Sequence, residues 1–161
     1  CAIEKYGAEM NVETKRKMQK KCIQAPLFLR TVVDVYKNEK HNDSYYFTEK
    51  DPQYALICQY VKDHSALYQY RETNRCYTIH RVCPTLVASM GEHPERIPVV
   101  RDCYGVRKIT PYECLELQGF PKEYRLPKIP MASAYKQCGN SVVVPVIRRI
   151  AENIKKAMEQ I

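Results

Sequence analysis

The residues whose types and spacing best suit ligand chemistry lie near the C-terminus, in the stretch 135–147. Gly139 allows a tight turn or a close backbone approach to a ligand, and the oxygen of Asn140 or Ser141 can cap the first turn of a following helix. The free amides and positive dipole end of such a helix attract a carboxylate or a phosphate. The pattern therefore predicts an anion site at a helix start, with an ordinary capped helix as the alternative.

The residues after this stretch form one amphipathic pattern. Pro145 fits the first turn of a helix, where no amide hydrogen is needed from it. Apolar residues then recur at helical spacing with charged residues on the other side, which predicts one helix running to the C-terminus. The apolar positions are Val143, Val146, Ile147, Ile150, Ile154, Ala157 and Ile161.

A second candidate for chemistry is a basic, aromatic region. Alternating residues predict a strand at 67–71, a second strand at 75–81, and a third near 97–102. Arginine can bind phosphate or contact guanine bidentately in the major groove. Arg71, Arg75 and Arg81 are therefore candidates for DNA contact, and a plain charged strand face is the alternative.

Between these regions, residues 110–119 contain a complete set of helix signals. Thr110 is an N-cap, Pro111 suits the first helical position, and Glu113 completes a capping box. Gly119 ends the helix. This helix is interpreted as scaffold, followed by a proline-rich connector over residues 121–133.

Composition limits the class of protein. The chain has 161 residues, 45% of them hydrophobic, and only 5 glycines, which indicates one folded domain with a core. Its net charge of +8 and pI near 9.0 favour an acidic partner such as nucleic acid, with a basic solvated surface as the alternative. No signal peptide or long apolar run is visible, so a cytoplasmic location is expected. The first residue, Cys1, hints at a longer parent protein.

The 8 cysteines contain no Cys-x-x-Cys pair, which favours reduced thiols over a disulfide framework. Cys76, His80, Cys83 and His93 could be considered as a zinc set, but their spacing is poor for a structural site, so no metal is expected.

Three stretches resemble signatures of the DNA cytosine-5 methyltransferases. Residues 135–147, Tyr-Lys-Gln-Cys-Gly-Asn-Ser-Val-Val-Val-Pro-Val-Ile, resemble the last signature block of that family. Residues 107–121, which end Leu-Gln-Gly-Phe-Pro, resemble the preceding block. Residues 83–91 resemble the Thr-Leu segment of the target-recognition domain. The resemblance covers roughly the second half of the chain.

The resemblance implies S-adenosyl-L-methionine as cofactor and double-stranded DNA as substrate. Asn140 and Ser141 match positions beside the methionine end of the cofactor. Arg75 matches an arginine that contacts DNA near the target base, and Thr85 matches a threonine that contacts the DNA backbone. Leu86, the second residue of the Thr-Leu pair, is expected to be part of the same DNA contact. The implied fold is α+β: a small target-recognition domain of short twisted strands and loops, then a C-terminal helix that packs on an absent Rossmann-like domain.

The expected divisions are a lead-in at 1–44, the recognition domain at 45–106, the signature helix and connector at 107–133, and the cofactor-proximal motif and helix at 134–161. The family's Phe-x-Gly-x-Gly loop, Pro-Cys nucleophile and Glu-Asn-Val block do not occur in this sequence.

The chain is therefore interpreted as the C-terminal fragment or small subunit of such a methyltransferase, as found in restriction-modification systems, without a catalytic residue of its own. Its partner would be the catalytic N-terminal portion or the large subunit of the same methyltransferase. A stand-alone DNA-binding module and a small zinc-stabilised interaction protein are the alternatives.

Overall fold

A four-stranded antiparallel sheet with the strand order β2-β1-β3-β4 lies at the centre of the structure, which is a computed structural model describing residues 39–72, 75–80 and 82–159. The strands are β1 Leu67–Arg71, β2 Cys76–His80, β3 Val99–Arg101 and β4 Val106–Lys108. The three predicted strand regions are thus confirmed, although the third is shorter than expected, and β4 was not predicted. Most of the predicted lead-in, and Arg81, lie outside the described residues.

Within the described residues, four α-helices accompany the sheet: α1 Tyr54–Tyr60, α2 Pro111–Leu117, α3 Met131–Asn140 and α4 Val144–Met158. Short 3-10 helices at Ala88–Gly91 and Pro94–Arg96 fill the connection from β2 to β3. A mixed α+β architecture with a small antiparallel sheet is therefore confirmed. The predicted connector through residue 133 is wrong in extent, because α3 starts directly after Pro130.

The hydrophobic core has two parts on either side of this framework. One part lies between α1 and the sheet, and it includes Ile57, Tyr68, Tyr77 and Val99. The other part lies among β3, α2, α3 and the 3-10 helix Ala88–Gly91. Its buried members are Leu67, Leu86, Met90, Ile97, Val100, Ile109, Cys114, Leu115, Leu117, Tyr135 and Cys138.

A buried ion cluster joins β4 to the first turn of α2. Arg107 is completely buried, with Nε 2.8 Å from Asp102 Oδ2 and Nη2 2.7 Å from Glu113 Oε1. Burial disfavours the charge, but the hydrogen bonds and charges of Glu113 and Asp102 outweigh it and raise the pKa of Arg107. Glu113 also accepts the Thr110 amide at 2.7 Å, which confirms the predicted capping box.

Helix α3 packs unusually closely against residues 87–91, which include the first 3-10 helix. A glycine on each side, Gly139 in α3 and Gly91 in the 3-10 helix, makes this possible. A Cβ atom on Gly139, inside α3, would overlap the backbone of Val87 and Ala88. A Cβ atom on Gly91 would overlap the carbonyl oxygen of Ala132, near the start of α3. Of the two roles expected for Gly139, the tight turn is therefore wrong: the residue is helical, and its missing side chain lets the backbone of residues 87–88 approach closely.

This packing gives a stability test in which two effects have opposite signs. Alanine normally stabilises a helix interior over glycine by about 0.5–1 kcal/mol. At Gly139 the added methyl group meets backbone that cannot rotate away, so we expect Gly139→Ala to lower the free energy of unfolding by about 1–3 kcal/mol.

Urea denaturation followed by circular dichroism measures this change. Gln137→Ala, at an exposed position of the same helix, is the matched control and should stay within about 0.5 kcal/mol of the wild type. A stabilised Gly139→Ala variant would show that α3 does not pack this closely in solution.

Candidate functional site

The three segments singled out by the sequence meet around one pocket of about 240 Å³. Residues 82–86 form one wall, Leu117 and Gln118 at the end of α2 form the second, and Ser141 and Val143 form the third. The structure therefore brings Thr85, the candidate DNA contact, and Ser141, the candidate cofactor contact, to the same pocket.

The turn between α3 and α4 is held by Gln118. Its side-chain Nε2 donates to Cys138 O at 2.8 Å, and its Oε1 accepts from Ser141 Oγ. Its backbone carbonyl accepts from Val144 N, the first amide of α4, at 2.8 Å. One residue thus contacts the end of α3, the turn, and the start of α4.

The predicted helix start at Asn140 or Ser141 is wrong. Asn140 is the last residue of α3, Ser141 is its C-cap, and α4 begins at Val144 with Val143 as an N-cap that makes no side-chain bond. Tertiary contacts override the local capping preference here, because Gly139 must lie inside α3 to pack on residues 87–88. Pro145 does occupy the first turn, as predicted.

The first turn of α4 also lacks the free amides that the sequence suggested. Val144 N is bonded to Gln118 O, Pro145 has no amide hydrogen, and Val146 N donates to Val143 O at 3.1 Å. Hydrogen-bond donors that are available to a ligand lie just before α4, in the turn that joins it to α3. Within the described part of the chain, the exposed Asn140 side chain and the amides of Val142 and Val143 make no hydrogen bond.

The candidate DNA contacts fall at two places. Arg71 and Arg75 are exposed at one end of the β1–β2 hairpin, where Arg75 has a left-handed backbone with φ 46°. Neither forms an ion pair within the described residues, whereas Glu72 between them pairs with Arg96 at 3.5 Å. Both guanidinium groups are therefore available to phosphate or base.

The Thr-Leu segment lies beyond the opposite end of β2. Thr85 is exposed at the pocket, while Leu86 is only 8% exposed and packs in the core. The buried side chain of Leu86 therefore holds the Thr-Leu segment against the hydrophobic core. The structure does not bring Arg71 or Arg75 into the pocket, and Arg81 lies outside the described residues.

Gln118 is the site residue that sequence reasoning missed. It was interpreted as part of a scaffold helix, yet it is 7% exposed and both hydrogen bonds of its side chain are made to the end of α3 and the turn that follows it. The sequence did offer one signal: Gln118 is an amide side chain that stands among apolar neighbours, between Leu117 and Gly119-Phe120. An amide buried in such a place needs hydrogen-bond partners from elsewhere in the fold.

Cys83, which precedes Pro84, is not placed for nucleophilic chemistry. Its Sγ donates to Pro84 O at 3.2 Å, and burial raises its pKa to about 12. The thiol is therefore protonated at neutral pH. In the described segments, no three His, Cys, Asp or Glu side chains are grouped to hold a metal ion.

The chain is similar to known methyltransferases. The sequence profile of the family described as C-5 cytosine-specific DNA methylase matches residues 3–156. The Type II methyltransferase M.Bsp6I of Bacillus sp. (strain RFL6) is 42% identical over 134 residues, which are 83% of this chain and 42% of that protein. Type II methyltransferase M.NlaIV of Neisseria lactamica is 33% identical over 120 residues, 70% of this chain and 27% of that protein.

A shorter match has a higher identity. Type II methyltransferase M.NlaX of Neisseria lactamica is 54% identical over 55 residues, 34% of this chain and 17% of that protein. The matched part of this chain thus spans less than half the length of these relatives. No solved structure matches the chain significantly. Among the described helices, none has the length and apolar character needed to cross a bilayer.

The environment of Cys83 predicts its reactivity. Cys58 and Cys103 are exposed, so iodoacetamide at pH 8 should modify both within minutes to hours while Cys83 stays largely unmodified, because burial keeps its thiol protonated. Peptide mass spectrometry after timed quenching measures this order, and the same reaction in urea should modify all three. Alkylation of Cys83 at the rate of Cys58 would contradict the raised pKa.

Proposed function

The chain belongs to the C-5 cytosine-specific DNA methylases, and on that premise we propose that it is the DNA-recognising, C-terminal part of such an enzyme. The whole enzyme would transfer a methyl group from S-adenosyl-L-methionine to carbon 5 of cytosine in a specific duplex sequence. The supporting observation is that the segments resembling the family signatures meet around one pocket, with Thr85 and Ser141 on its walls.

The covalent step requires a cysteine thiolate that attacks carbon 6 of a flipped-out cytosine, after which carbon 5 takes the methyl group. The family's Pro-Cys pair is absent from the sequence, and the raised pKa of Cys83 makes that thiol a poor substitute. We therefore assign the nucleophile to the other portion of the enzyme.

Helix α4 is the proposed contact with that portion. Its apolar side chains are exposed along one face, with Ile147 46%, Ile150 49% and Ile154 56% accessible. Isoleucines repeated at this spacing normally face a core, so a face like this favours a partner surface. A Rossmann-like catalytic domain packed against this face would bury the exposed isoleucines.

The proposed DNA surface has two parts. Arg71 and Arg75 supply positive charge at one end of the β1–β2 hairpin, while Thr85 contacts the DNA backbone from the pocket and Leu86 holds its segment in the core. Arg81 stays a candidate from the sequence alone. Because Arg71 and Arg75 have no carboxylate partner within the described part of the chain, DNA binding breaks no internal ion pair.

The hydrogen-bonding groups of the α3–α4 turn suit the methionine end of the cofactor. S-adenosyl-L-methionine would supply the methyl group, and its methionine end carries a carboxylate and an ammonium. The free amide group of Asn140 and the amides of Val142 and Val143 can donate to the carboxylate. Ser141 Oγ, which donates to Gln118, keeps lone pairs that can accept from the ammonium.

The absence of the nucleophile gives the direct test of this division. We expect the isolated chain to incorporate no labelled methyl group from S-adenosyl-L-methionine into duplex DNA, and mixing with the complementary catalytic portion to start incorporation. The catalytic portion alone is the control. Incorporation by the isolated chain above a no-protein blank would contradict the assignment, and specific DNA binding with no gain from the catalytic portion would favour the stand-alone module.

Arg75 gives a prediction about sequence recognition. In the reconstituted enzyme, Arg75→Ala should cost on the order of 1–3 kcal/mol of DNA binding and relax discrimination at one base position if the guanidinium contacts a base edge. Fluorescence anisotropy on target duplexes substituted at each position measures both effects.

The matched control is Arg125→Ala, which removes one exposed positive charge from the connector outside the proposed surface. An equal loss on every duplex would reassign Arg75 to phosphate contact. No loss beyond that of Arg125→Ala would remove Arg75 from the interface.

A further inference from the structure

We propose that Gln118 is a positioning residue: it fixes the α3–α4 turn in the shape that holds the cofactor's methionine end, without touching the cofactor itself. This inference rests on the proposed function, since it assigns a role to a residue behind Asn140 and Ser141. It adds that cofactor affinity is set from α2, which belongs to a different segment of the chain.

The first support is the direction of the side-chain contacts. Gln118 is buried, and both ends of its amide group are bonded to the turn region, Nε2 to Cys138 O at 2.8 Å and Oε1 to Ser141 Oγ. Ser141 Oγ also lies 2.9 Å from Cys138 O. The three groups form a closed set, in which loss of the amide leaves Cys138 O and Ser141 with each other only.

The second support is that the backbone of Gln118 works with its side chain. Its carbonyl accepts the Val144 amide at 2.8 Å, so the residue bonds to both helices that flank the turn. The last carbonyls of a helix and the first amides of the next have no partner within their own helices. Gln118 supplies one to each, and the length of the turn between them is thereby fixed.

The third support is that, within the described segments, few other hydrogen bonds hold the residues of the turn itself. Ser141 N donates weakly to Cys138 O at 3.3 Å, and the Asn140 side chain and the amides of Val142 and Val143 have no partner in the described segments. The side chain of Gln118 is therefore the main side-chain contact that positions Ser141 and the turn that follows Asn140.

The test replaces the amide and keeps the shape. Gln118→Met fills similar space without hydrogen bonds, and Gln59→Met, at an exposed position of α1, is the matched control. In the reconstituted enzyme we expect Gln118→Met to raise the KM for S-adenosyl-L-methionine roughly three- to tenfold, the size of one or two lost hydrogen bonds, with the KM for DNA little changed.

The variant Gln118→Glu distinguishes the hydrogen bonds of this side chain from the space that it fills. An ionised glutamate presents an acceptor to Cys138 O, whereas the protonated acid can donate to it as the amide does. Burial raises the pKa of such a carboxyl group, so lowering the pH should move the cofactor KM of this variant back toward the wild-type value. The KM of the wild type and of Gln118→Met should lack this recovery.

A second measurement needs no activity. In the isolated 161-residue chain, Gln118→Met should speed hydrogen exchange at the Ser141 and Val144 amides and leave Ile57, which bonds to Gln53 O in α1, unchanged. Unchanged protection at Ser141 and Val144 would overturn the positioning role even if the reconstituted enzyme were inactive.

The kinetic outcomes then separate the two levels of inference. A wild-type reconstituted enzyme that transfers no methyl group counts against the proposed function, whereas an active enzyme whose cofactor KM ignores Gln118→Met counts against Gln118 alone. A loss confined to kcat, or to the fraction of folded enzyme, would show a merely structural glutamine. Asn140→Ala is the reference for a direct cofactor contact, and it should raise the same KM without the pH recovery.

Discussion

The close approach of α3 to residues 87–91 is the constraint on which the rest of the site depends. Gly139 and Gly91 each remove a side chain at the point where one backbone passes the other, near opposite ends of the helix. Two such contacts fix both the distance and the rotation of α3, since a helix held at both ends cannot turn about its axis. The segment with Thr85 and the turn with Ser141 therefore belong to one rigid unit, although the two residues lie 56 positions apart in the sequence.

The buried cluster of Arg107, Asp102 and Glu113 provides the second fixed point. Removing three charged groups from water is costly, and the geometry offsets this cost only because the carboxylates meet the guanidinium at 2.7–2.8 Å. Such a cluster tolerates few alternative arrangements, so it specifies how α2 leaves β4. Gln118 lies at the far end of α2, and its aim at the α3–α4 turn depends on that direction.

The parts of this fold that could be predicted from sequence are those decided locally. The capping box of α2 and the existence of strand β1 are indicated by residues close together in the chain, and both predictions are confirmed, although the burial of side chains along β1 does not alternate. The predicted helix start at Asn140 is wrong, because a good N-cap residue cannot indicate that an earlier glycine is needed inside a helix. The role of Gln118 was hidden for a related reason: its partners are a carbonyl, a hydroxyl and an amide 20 to 26 residues away, and main-chain groups carry no sequence signal.

The glycine contacts also determine which substitutions the chain can accept during divergence. At most positions a chemically similar residue is a mild change, so tolerance follows polarity and size. At Gly139 the obstacle is the Cβ atom that all other residues share, so every missense change of that codon meets the same backbone of Val87 and Ala88. Its exposed neighbour Asn140 has no such barrier from the fold. Adjacent positions thus face unrelated constraints from the fold, a strict one on the backbone at Gly139 and none on the side chain at Asn140.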